Sequence, residues 1–331
     1  MRVFVTGASG WVGSAVVSGL LSAGHSVVGL ARSERSASVV ASLGAQVRRG
    51  SLDDLDSLRS GAASAEGVLH LAFDHDVAFS GGFDSASRAE RRAIETLGAA
   101  LEGSGRPLVV ASVTGGLPSG RVGYEQDAPD PAHPLAVRFR NEQVATSLRE
   151  RGVGACVVRL PPTVHGPGDP SPFLRTLIDH ARSSGFSGYI GDGRNRWPAV
   201  HRLDAAALFQ LALERAPAGA ILHAIDDEGV TTREIAETIG RGLKVPAVSI
   251  AEDDAHDHFG VVTHVYASDI PASSAATREL LGWQPREAGL LADLAQDHYY
   301  ADATPPTQKH EHLNELEFNV CVIDGDPADH E

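Results

Sequence analysis

The chain has 331 residues, a formal net charge of −15 and two cysteines, Cys156 and Cys321. This length allows one large domain or two smaller ones with a sizeable core, and the negative charge disfavours nucleic acid or an anionic membrane as a partner. The cysteines lie far apart without metal-ligand spacing, so we expect neither a disulfide framework nor a metal site.

The sequence carries no sign of a membrane or export segment. No apolar run approaches the ~20 residues that a membrane-spanning helix needs. The first predicted strand begins at the second residue, so we expect no signal peptide. We therefore predict a cytoplasmic protein.

The first 35 residues have the pattern of a strand, a glycine-rich turn, a helix and a second strand. The apolar runs at residues 3–5 and 26–30 predict the strands, and the helical pattern covers residues 12–23. This succession predicts an α/β Rossmann fold, a doubly wound parallel sheet with helices on both faces.

The glycines of the turn have separate physical roles. Gly7 permits a tight turn, Gly10 lets a pyrophosphate approach the backbone because it has no Cβ, and Gly13 lets the helix lie close to the sheet. The free N–H groups and the positive end of the helix dipole would then receive phosphates. A glycine-rich loop of some other α/β protein is the alternative.

The segment Thr6-Gly7-Ala8-Ser9-Gly10-Trp11-Val12-Gly13 resembles the cofactor loop of the short-chain dehydrogenase/reductase superfamily. Its spacing is closest to the extended branch, which contains NAD-dependent epimerases and dehydratases and dihydroflavonol-type reductases. The resemblance implies a bound nicotinamide dinucleotide. The implied contact residues of this loop are Gly7, Ser9, Gly10, Trp11, Val12 and Gly13.

The end of the second strand bears on the choice of cofactor. Enzymes that use NAD usually have an acidic residue there, whereas an arginine accommodates the 2′-phosphate of NADP. This chain has Arg32 and Ser33 and no acidic residue at the strand end. We therefore expect NADP(H); a solvated surface arginine is the alternative.

The next two strands are predicted at Gln46–Arg49 and residues 67–72. In the superfamily, the chain after such strands passes the adenine and the ribose of the cofactor. The implied contacts are Ser51, Leu52, Leu71 and Ala72. His70 is expected to be a packed strand residue, residues 73–85 a loop, and residues 87–102 a helix.

A fifth strand at residues 107–112 ends near two hydroxyl groups, those of Ser112 and Thr114. In the superfamily, a hydroxyl at this strand end hydrogen-bonds the substrate oxygen. Ligands bind at the carboxyl ends of parallel strands, which favours this role over simple turn capping.

The superfamily's catalytic Tyr-x-x-x-Lys pair is replaced. Anchoring on Glu142 and on Gly166-Pro167 gives an ungapped match in which Arg138 takes the lysine place and Pro134 the tyrosine place. Arginine stays charged, so Arg138 can hold ribose or phosphate but cannot easily relay a proton. Tyr124 and His133 are the candidate substitute acids, with a structural role as the alternative for each.

The loop after the sixth strand, residues 153–160, resembles the family's proline loop. It implies nicotinamide contacts from Pro161, Thr163 and Val164. Further on, Trp197 takes the place where sugar-nucleotide enzymes carry an arginine, which disfavours a nucleotide-sugar substrate. Trp197 is either a wall of an apolar substrate site or a packed core residue.

The remaining pattern alternates helices and short strands up to a Leu-Gly-Trp-x-Pro segment that resembles the end of extended members. We predict a dinucleotide-binding domain at residues 1–165, a mainly substrate-binding domain at 166–300, and a tail of unknown role at 301–331. The later elements are predicted as helices at Pro172–Ser184, 205–215, 231–243, 273–281 and 287–300 and strands at Ser187–Ile190, 220–225 and 245–250.

These features together favour an NADP(H)-dependent oxidoreductase that acts on a small carbonyl or hydroxyl compound. Two alternatives stay open: a cofactor-binding sensor without turnover, and a non-redox isomerase, lyase or dehydratase. The expected partner is a small-molecule substrate, and a homodimer is compatible with the sequence.

Overall fold

The computed structural model describes residues 1–133, 135–170 and 172–301. The strands are β1 (Arg2–Thr6), β2 (Ser26–Ala31), β3 (Gln46–Arg49), β4 (Gly67–His70), β5 (Pro107–Val113), β6 (Gly154–Leu160), β7 (Thr163–His165), β8 (Ser187–Ile190), β9 (Arg196–His201), β10 (Ile221–His223), β11 (Asp227–Thr231) and β12 (Ala247–Ile250). The α-helices are α1 (Trp11–Ser22), α2 (Glu34–Ser42), α3 (Leu55–Ala63), α4 (His75–Val77), α5 (Phe83–Leu101), α6 (Ala136–Ser147), α7 (Pro172–Ser184), α8 (Arg202–Arg215), α9 (Thr232–Leu243), α10 (Ala255–Phe259), α11 (Thr263–Tyr266), α12 (Ala275–Leu281) and α13 (Leu290–Leu294).

A seven-stranded parallel sheet forms the centre of the fold, in the order β10-β6-β5-β4-β1-β2-β3. Apolar residues alternate along its strands, so each face buries its own core. Helices α1 and α8 cover one face, and α3, α5 and α6 cover the other. The predicted Rossmann fold is confirmed, and the strand order reverses between β1 and β4, where such sheets bind ligands.

Two smaller sheets lie in the second half of the chain. One has the order β11-β9-β7 and the other pairs β12 with β8. Between them a third apolar core contains Trp197, which is fully buried and donates its indole N–H to Val265 O at 3.0 Å. Trp197 is therefore a core residue, and the wall of a substrate site was the wrong alternative for it.

Several predicted bounds agree with the structure and others are wrong. Strands β3 and β8 and helix α7 have the predicted bounds. Residues 75–85 are not a loop: Asp74 accepts a hydrogen bond from Val77 N and starts α4, and a kinked segment at Ala78–Gly82, in which Ser80 and Gly81 have non-helical backbone angles, leads into α5. The predicted helix at 287–300 shrinks to α13 and a 3₁₀ turn, and the short strands β7, β9 and β11 were missed.

One of the two cysteines, Cys156, lies within the described residues. Cys156 is buried in β6, and its burial raises the pKa of the thiol to about 12. Cys321 and the rest of the tail beyond residue 301 lie outside the described residues. Within the described ranges, no helix combines the length and apolar character needed to cross a bilayer.

Asp204 joins helix α8 to the closing segment of the chain. Its carboxylate is buried and accepts hydrogen bonds from Arg286 N at 2.8 Å and Glu287 N at 3.0 Å. The start of α8 is capped by His201, whose Nδ1 accepts from Leu203 N. Asp204 thus holds two parts of the chain together, while His201 provides the cap.

We predict that Asp204→Asn lowers the free energy of unfolding by about 1–3 kcal/mol, because an amide replaces one acceptor oxygen and leaves one of the part-buried N–H groups of Arg286 and Glu287 without its acceptor. Urea unfolding followed by circular dichroism measures this. Asp56→Asn, which removes a carboxylate that is 93% exposed, is the control and should change stability by no more than about 0.5 kcal/mol. Equal effects of the two substitutions would contradict the assigned role.

Candidate functional site

The glycine-rich turn after β1 is packed against two other backbone segments. Gly7 has a φ of +70°, and a Cβ there would lie 2.8 Å from Ala72 N. A Cβ at Gly13 would lie 2.0 Å from Gly7 O. Gly10 is exposed, and a Cβ there would meet only Gly7 O, at 3.2 Å. The turn therefore needs glycine at Gly7 and Gly13 for packing, whereas Gly10 leaves the backbone open to a ligand.

The first turn of α1 presents a site for an anion. The helix begins at Trp11 after Gly10, and no described side chain caps its start. Arg202, in α8, donates to Ser14 Oγ at 3.1 Å and places its guanidinium 3.9 Å from the centre of the Trp11 ring. Free N–H groups, the helix dipole and a nearby cation all favour phosphate oxygens here.

Arg202 is a residue that the sequence interpretation missed. The segment Val200-His201-Arg202-Leu203-Asp204 resembles the Val-His-Val-x-Asp segment of extended members of the short-chain dehydrogenase/reductase superfamily, with Arg202 in the place of the second valine. A charged residue in that apolar place was the available signal. Only the packing of α8 against α1 reveals that Arg202 reaches the glycine turn.

The chain after β4 lies beside the turn, as the resemblance implies. Ala72 N donates to Thr6 Oγ1 at 3.3 Å. A Cβ on Gly7 would lie 2.8 Å from Ala72 N and 2.8 Å from Leu71 C, so both residues pack against the turn. At the third strand, Ser51 and Leu52 are half-buried after β3. Both pairs are thus at the carboxyl edge of the sheet, Leu71 and Ala72 beside β1 and Ser51 and Leu52 beyond β2.

The residues predicted for the 2′-position of the cofactor lie at the end of β2. Ser33 caps α2 by accepting from Ser36 N, so its hydroxyl is already engaged. Arg32 is exposed and forms ion pairs with Asp74 at 2.9 Å and Asp76 at 3.1 Å. The Arg32 guanidinium, which was expected to bind the 2′-phosphate of the cofactor, therefore pairs with two carboxylates from the chain after β4.

A row of buried polar side chains runs along the carboxyl edge of the sheet. Thr6 is the register partner of His70, Ser112 that of Arg159, and Arg159 that of His223. Residues two positions earlier in β1, β4, β5 and β6 belong to the core under α3, α5 and α6, so the row faces these helices. Polar residues replace the apolar core only where the strands end.

Several polar atoms in this region are buried without a hydrogen-bond partner among the described residues. Buried polar groups are normally paired, so unpaired ones at the carboxyl edge of a parallel sheet indicate a place for a polar ligand. The atoms are His70 Nε2, Ser112 Oγ and Thr163 Oγ1.

Arg138, at the lysine place, lies in a buried ionic network. Its guanidinium contacts Glu90 of α5 at 3.1 Å, and Asn141 Nδ2 donates to the same carboxylate at 2.9 Å. The ring of Phe73 lies 4.0 Å from the Arg138 guanidinium. The carboxylate thus fixes the arginine on α6, close to the chain that leaves β4.

A second buried pair lies on the same face. Glu142 accepts from Arg159 of β6 at 2.8 Å, and Arg159 also contacts His223 Nε2 at 3.4 Å. Burial and the Arg159 charge lower the pKa of His223 to about 4. Burial also lowers the pKa of His70 to about 4, so both histidines are neutral near pH 7.

The candidate acids differ in their positions. Leu135 N donates to His133 Nδ1 at 3.1 Å, and a Cβ at Gly116 would lie 3.3 Å from that nitrogen, so His133 packs against the loop after β5. Burial lowers the pKa of His133. Tyr124 is 41% exposed on the outer loop. Pro134 lies outside the described residues.

The oxygen-binding candidates and the proline loop lie close together. Thr114 N donates to Leu160 O at 2.9 Å, which joins the ends of β5 and β6. Thr163 and Val164 in β7 are buried, as is Pro161 before them, and Val164 O accepts from Trp11 Nε1 at 2.7 Å. The proline loop is therefore tied directly to the first turn of α1.

A histidine and an aspartate fix the far end of this loop. His165 Nδ1 lies 2.8 Å from Asp293 Oδ2, and Tyr299 donates its hydroxyl to the same carboxylate at 2.8 Å. Asp293 thereby connects the loop to the last described part of the chain. Within the described ranges, no three His, Cys, Asp or Glu side chains are grouped to hold a metal ion.

The geometry fits the phosphates and ribose of a dinucleotide. An open glycine at the start of an uncapped helix, a neighbouring guanidinium and unpaired polar atoms at the strand ends are the donor set that such a ligand needs. Comparison with known proteins agrees with this. The model of the NAD-dependent epimerase/dehydratase family matches residues 3–224. The chain belongs to this family.

The chain is similar to several individual proteins within and beyond this level of family assignment. An uncharacterized protein of Schizosaccharomyces pombe is 45% identical over 91% of this chain and 100% of its own length. A 4-hydroxy-2-methyl-3-oxo-4-farnesyl-3,4-dihydroquinoline-1-oxide ketoreductase of Stigmatella aurantiaca is 30% identical over 78% of this chain and 80% of its own. The structure of MoeE5 in complex with UDP-glucose and NAD superposes with a TM-score of 0.70 at 22% identity, over 91% of this chain and 98% of that one. The last similarity shows the fold alone.

We predict that Gly13→Ala destabilises the protein by about 1–3 kcal/mol, because the new Cβ overlaps a backbone oxygen, and that it weakens binding of NADPH. Unfolding in urea and equilibrium titration with NADPH measure the two effects. Gly19→Ala, in the same helix, meets nothing closer than 3.8 Å and should raise stability by about 0.5–1 kcal/mol. Unchanged NADPH binding in Gly13→Ala would contradict the assigned site.

We predict that Glu90→Ala lowers the free energy of unfolding by about 3–5 kcal/mol, because it leaves the buried Arg138 charge without its partner. The double variant Glu90→Ala/Arg138→Met removes both charges and should recover part of that loss. Urea unfolding of both variants provides the measurement. A double variant that is less stable than Glu90→Ala alone would show that the ion pair does not account for the effect.

Proposed function

We propose that the protein is an NADP(H)-dependent oxidoreductase that acts on a small carbonyl or hydroxyl compound. The observation that carries this proposal is the pairing of two features at one edge of the sheet. A phosphate-accepting glycine turn begins α1, and the buried hydroxyl of Ser112 ends β5 without a partner among the described residues. The ketoreductase relative and the NAD-bound structural neighbour support a nicotinamide cofactor.

The choice of NADP(H) rests on Arg32. It follows the second strand, where an acidic residue would favour NAD and an arginine accommodates a 2′-phosphate. Arg32 is exposed at that position, and the chain has no acidic residue at the end of β2. The same strand end therefore favours the phosphorylated cofactor.

The proposed residues have distinct roles around the reacting oxygen. When bound, the nicotinamide supplies or accepts a hydride at the substrate carbon. Ser112 donates a hydrogen bond to the substrate oxygen, with Thr114 beside it on the same chain segment. Arg138, held by Glu90, contributes a fixed positive charge for the cofactor ribose. Oriented donors of this kind stabilise the charge that develops on an oxygen during reduction.

His133 is the better candidate for a hydrogen-bond donor to the substrate oxygen in this proposal. Its Nδ1 accepts a backbone N–H from Leu135, so in the neutral ring Nε2 carries the hydrogen. A neutral imidazole with a fixed tautomer can donate a hydrogen bond to an oxygen that gains charge. Tyr124 is on the outer, exposed part of the same loop. Water is the remaining source of the proton.

The test is substrate-dependent loss of NADPH absorbance, with NADH in parallel, against a broad panel of aldehydes and ketones. We predict consumption that Ser112→Ala lowers by about 10²-fold in kcat/KM, since removal of one oriented donor to a reacting oxygen has an effect of this size. Ser87→Ala is the matched control, because Ser87 Oγ is also buried without a partner among the described residues but lies on α5.

Three outcomes decide among the readings. Consumption lost in Ser112→Ala and kept in Ser87→Ala supports the oxidoreductase and this site. Product formation without net NADPH loss supports a non-redox enzyme. Tight NADPH binding without consumption across the panel counts against a reductase and favours a cofactor sensor.

A further inference from the structure

The ion pairs of Arg32 join two segments that leave different strands of the sheet. Arg32 follows β2, whereas Asp74 and Asp76 follow β4, and β1 lies between these strands. Nη1 of Arg32 contacts Asp74 at 2.9 Å and Nη2 contacts Asp76 at 3.1 Å. The contacts therefore bridge the edge of the sheet beside the glycine turn.

The two aspartates are held differently. Asp74 uses Oδ1 to accept from Val77 N at 3.2 Å and cap α4, which leaves Oδ2 for Arg32. The Asp74 side chain is 27% exposed, whereas that of Asp76 is 87% exposed. Asp74 is thus part of the local fold, while Asp76 lies in solvent and can turn away from the arginine.

The charge balance at this position weakens the attraction of Arg32 for a phosphorylated ligand. One guanidinium faces two carboxylates, so the cluster carries a net negative charge. A 2′-phosphate adds about −1.5 to −2 charges beside these two carboxylates and competes with them for the same guanidinium. A ribose 2′-hydroxyl, in contrast, can donate a hydrogen bond to a carboxylate, which is how enzymes that use NAD recognise it.

We propose that Asp74 and Asp76 set the cofactor preference of this protein by competing with the 2′-phosphate for Arg32. This inference rests on the proposed function, because it assumes that a nicotinamide dinucleotide binds at the glycine turn. Asp74 supplies, from the chain after β4, the acidic group that is absent at the end of β2. The pair therefore lowers the preference for NADPH over NADH that Arg32 alone would give.

The test is equilibrium binding of NADPH and NADH, followed by the fluorescence of the reduced nicotinamide, to the full chain and its variants. Asp76→Asn should tighten NADPH binding by about threefold to tenfold and leave NADH binding unchanged, since one exposed charge is removed beside the phosphate. Asp74→Asn should raise the ratio of NADPH affinity to NADH affinity further, because it also weakens the binding of NADH. Asparagine also caps helices, so α4 is preserved.

Two further variants complete the design. Arg32→Ala should weaken NADPH but not NADH, and the gain from Asp76→Asn should vanish in the Arg32→Ala background. Asp53→Asn removes a carboxylate from another exposed arginine pair, that with Arg92, and controls for the change in net charge. Asp53→Asn should change the ratio of NADPH affinity to NADH affinity by less than Asp76→Asn does.

The outcomes separate this inference from the proposed function. If both dinucleotides bind but Asp74→Asn and Asp76→Asn change their ratio no more than Asp53→Asn, the competition is refuted and the cofactor site stands. If neither dinucleotide binds the unaltered protein, the cofactor proposal and this inference fail together. Binding that follows the expected ratios without turnover would support the inference and refute the oxidoreductase.

Discussion

The close approach of three backbone segments, around Gly7, Gly13 and Ala72, is the constraint on which the rest of the site depends. A Cβ at Gly13 would lie 2.0 Å from Gly7 O, and one at Gly7 would lie 2.8 Å from Ala72 N. Helix α1 can therefore begin directly above the strand ends, with its uncapped N–H groups facing the position where the strand order reverses. Trp11, the first residue of that helix, extends the same contact to the proline loop through Val164 O. The turn thus positions the phosphate site and the loop beyond it together.

Buried ion pairs make the second contribution, and they fix orientation more than they add stability. Glu90 holds Arg138, and Glu142 holds Arg159, on the face of the sheet under α5 and α6. Removing such charges from water costs about as much as their attraction returns, so their value here is geometric. The first pair joins α5 to α6, and the second ties α6 to the carboxyl end of β6. Phe73, stacked on Arg138, continues directly into Asp74, so the segment that meets Arg32 also touches the lysine-place arginine.

The sequence predicted the fold well because the fold depends on local patterns. Apolar periodicity and glycine spacing are properties of a short stretch, and they placed β3, β8 and α7 with their observed bounds. The partners of charged side chains depend on tertiary packing instead. The sequence indicated that Arg32 and Arg138 lie at the proposed cofactor site. It did not indicate that Asp74 and Glu90 form ion pairs with them. Arg202 was missed for the same reason, since only the packing of α8 on α1 brings it to the glycine turn.

In the ungapped match, the residue at the lysine place and the residue at the tyrosine place of the family's catalytic pair have changed in a compatible way. In the superfamily the lysine both holds the ribose and lowers the pKa of the tyrosine. In the ungapped match the tyrosine place is Pro134, so no phenol is left for a cation to tune. In the proposed site, Arg138, paired with Glu90 and stacked on Phe73, would hold the ribose and would have no phenol to tune. A proton for the substrate must then come from a group outside the pair. In the proposed site, His133, whose Nδ1 accepts from Leu135 N, would donate a hydrogen bond from Nε2 to the substrate oxygen, and water would supply the proton.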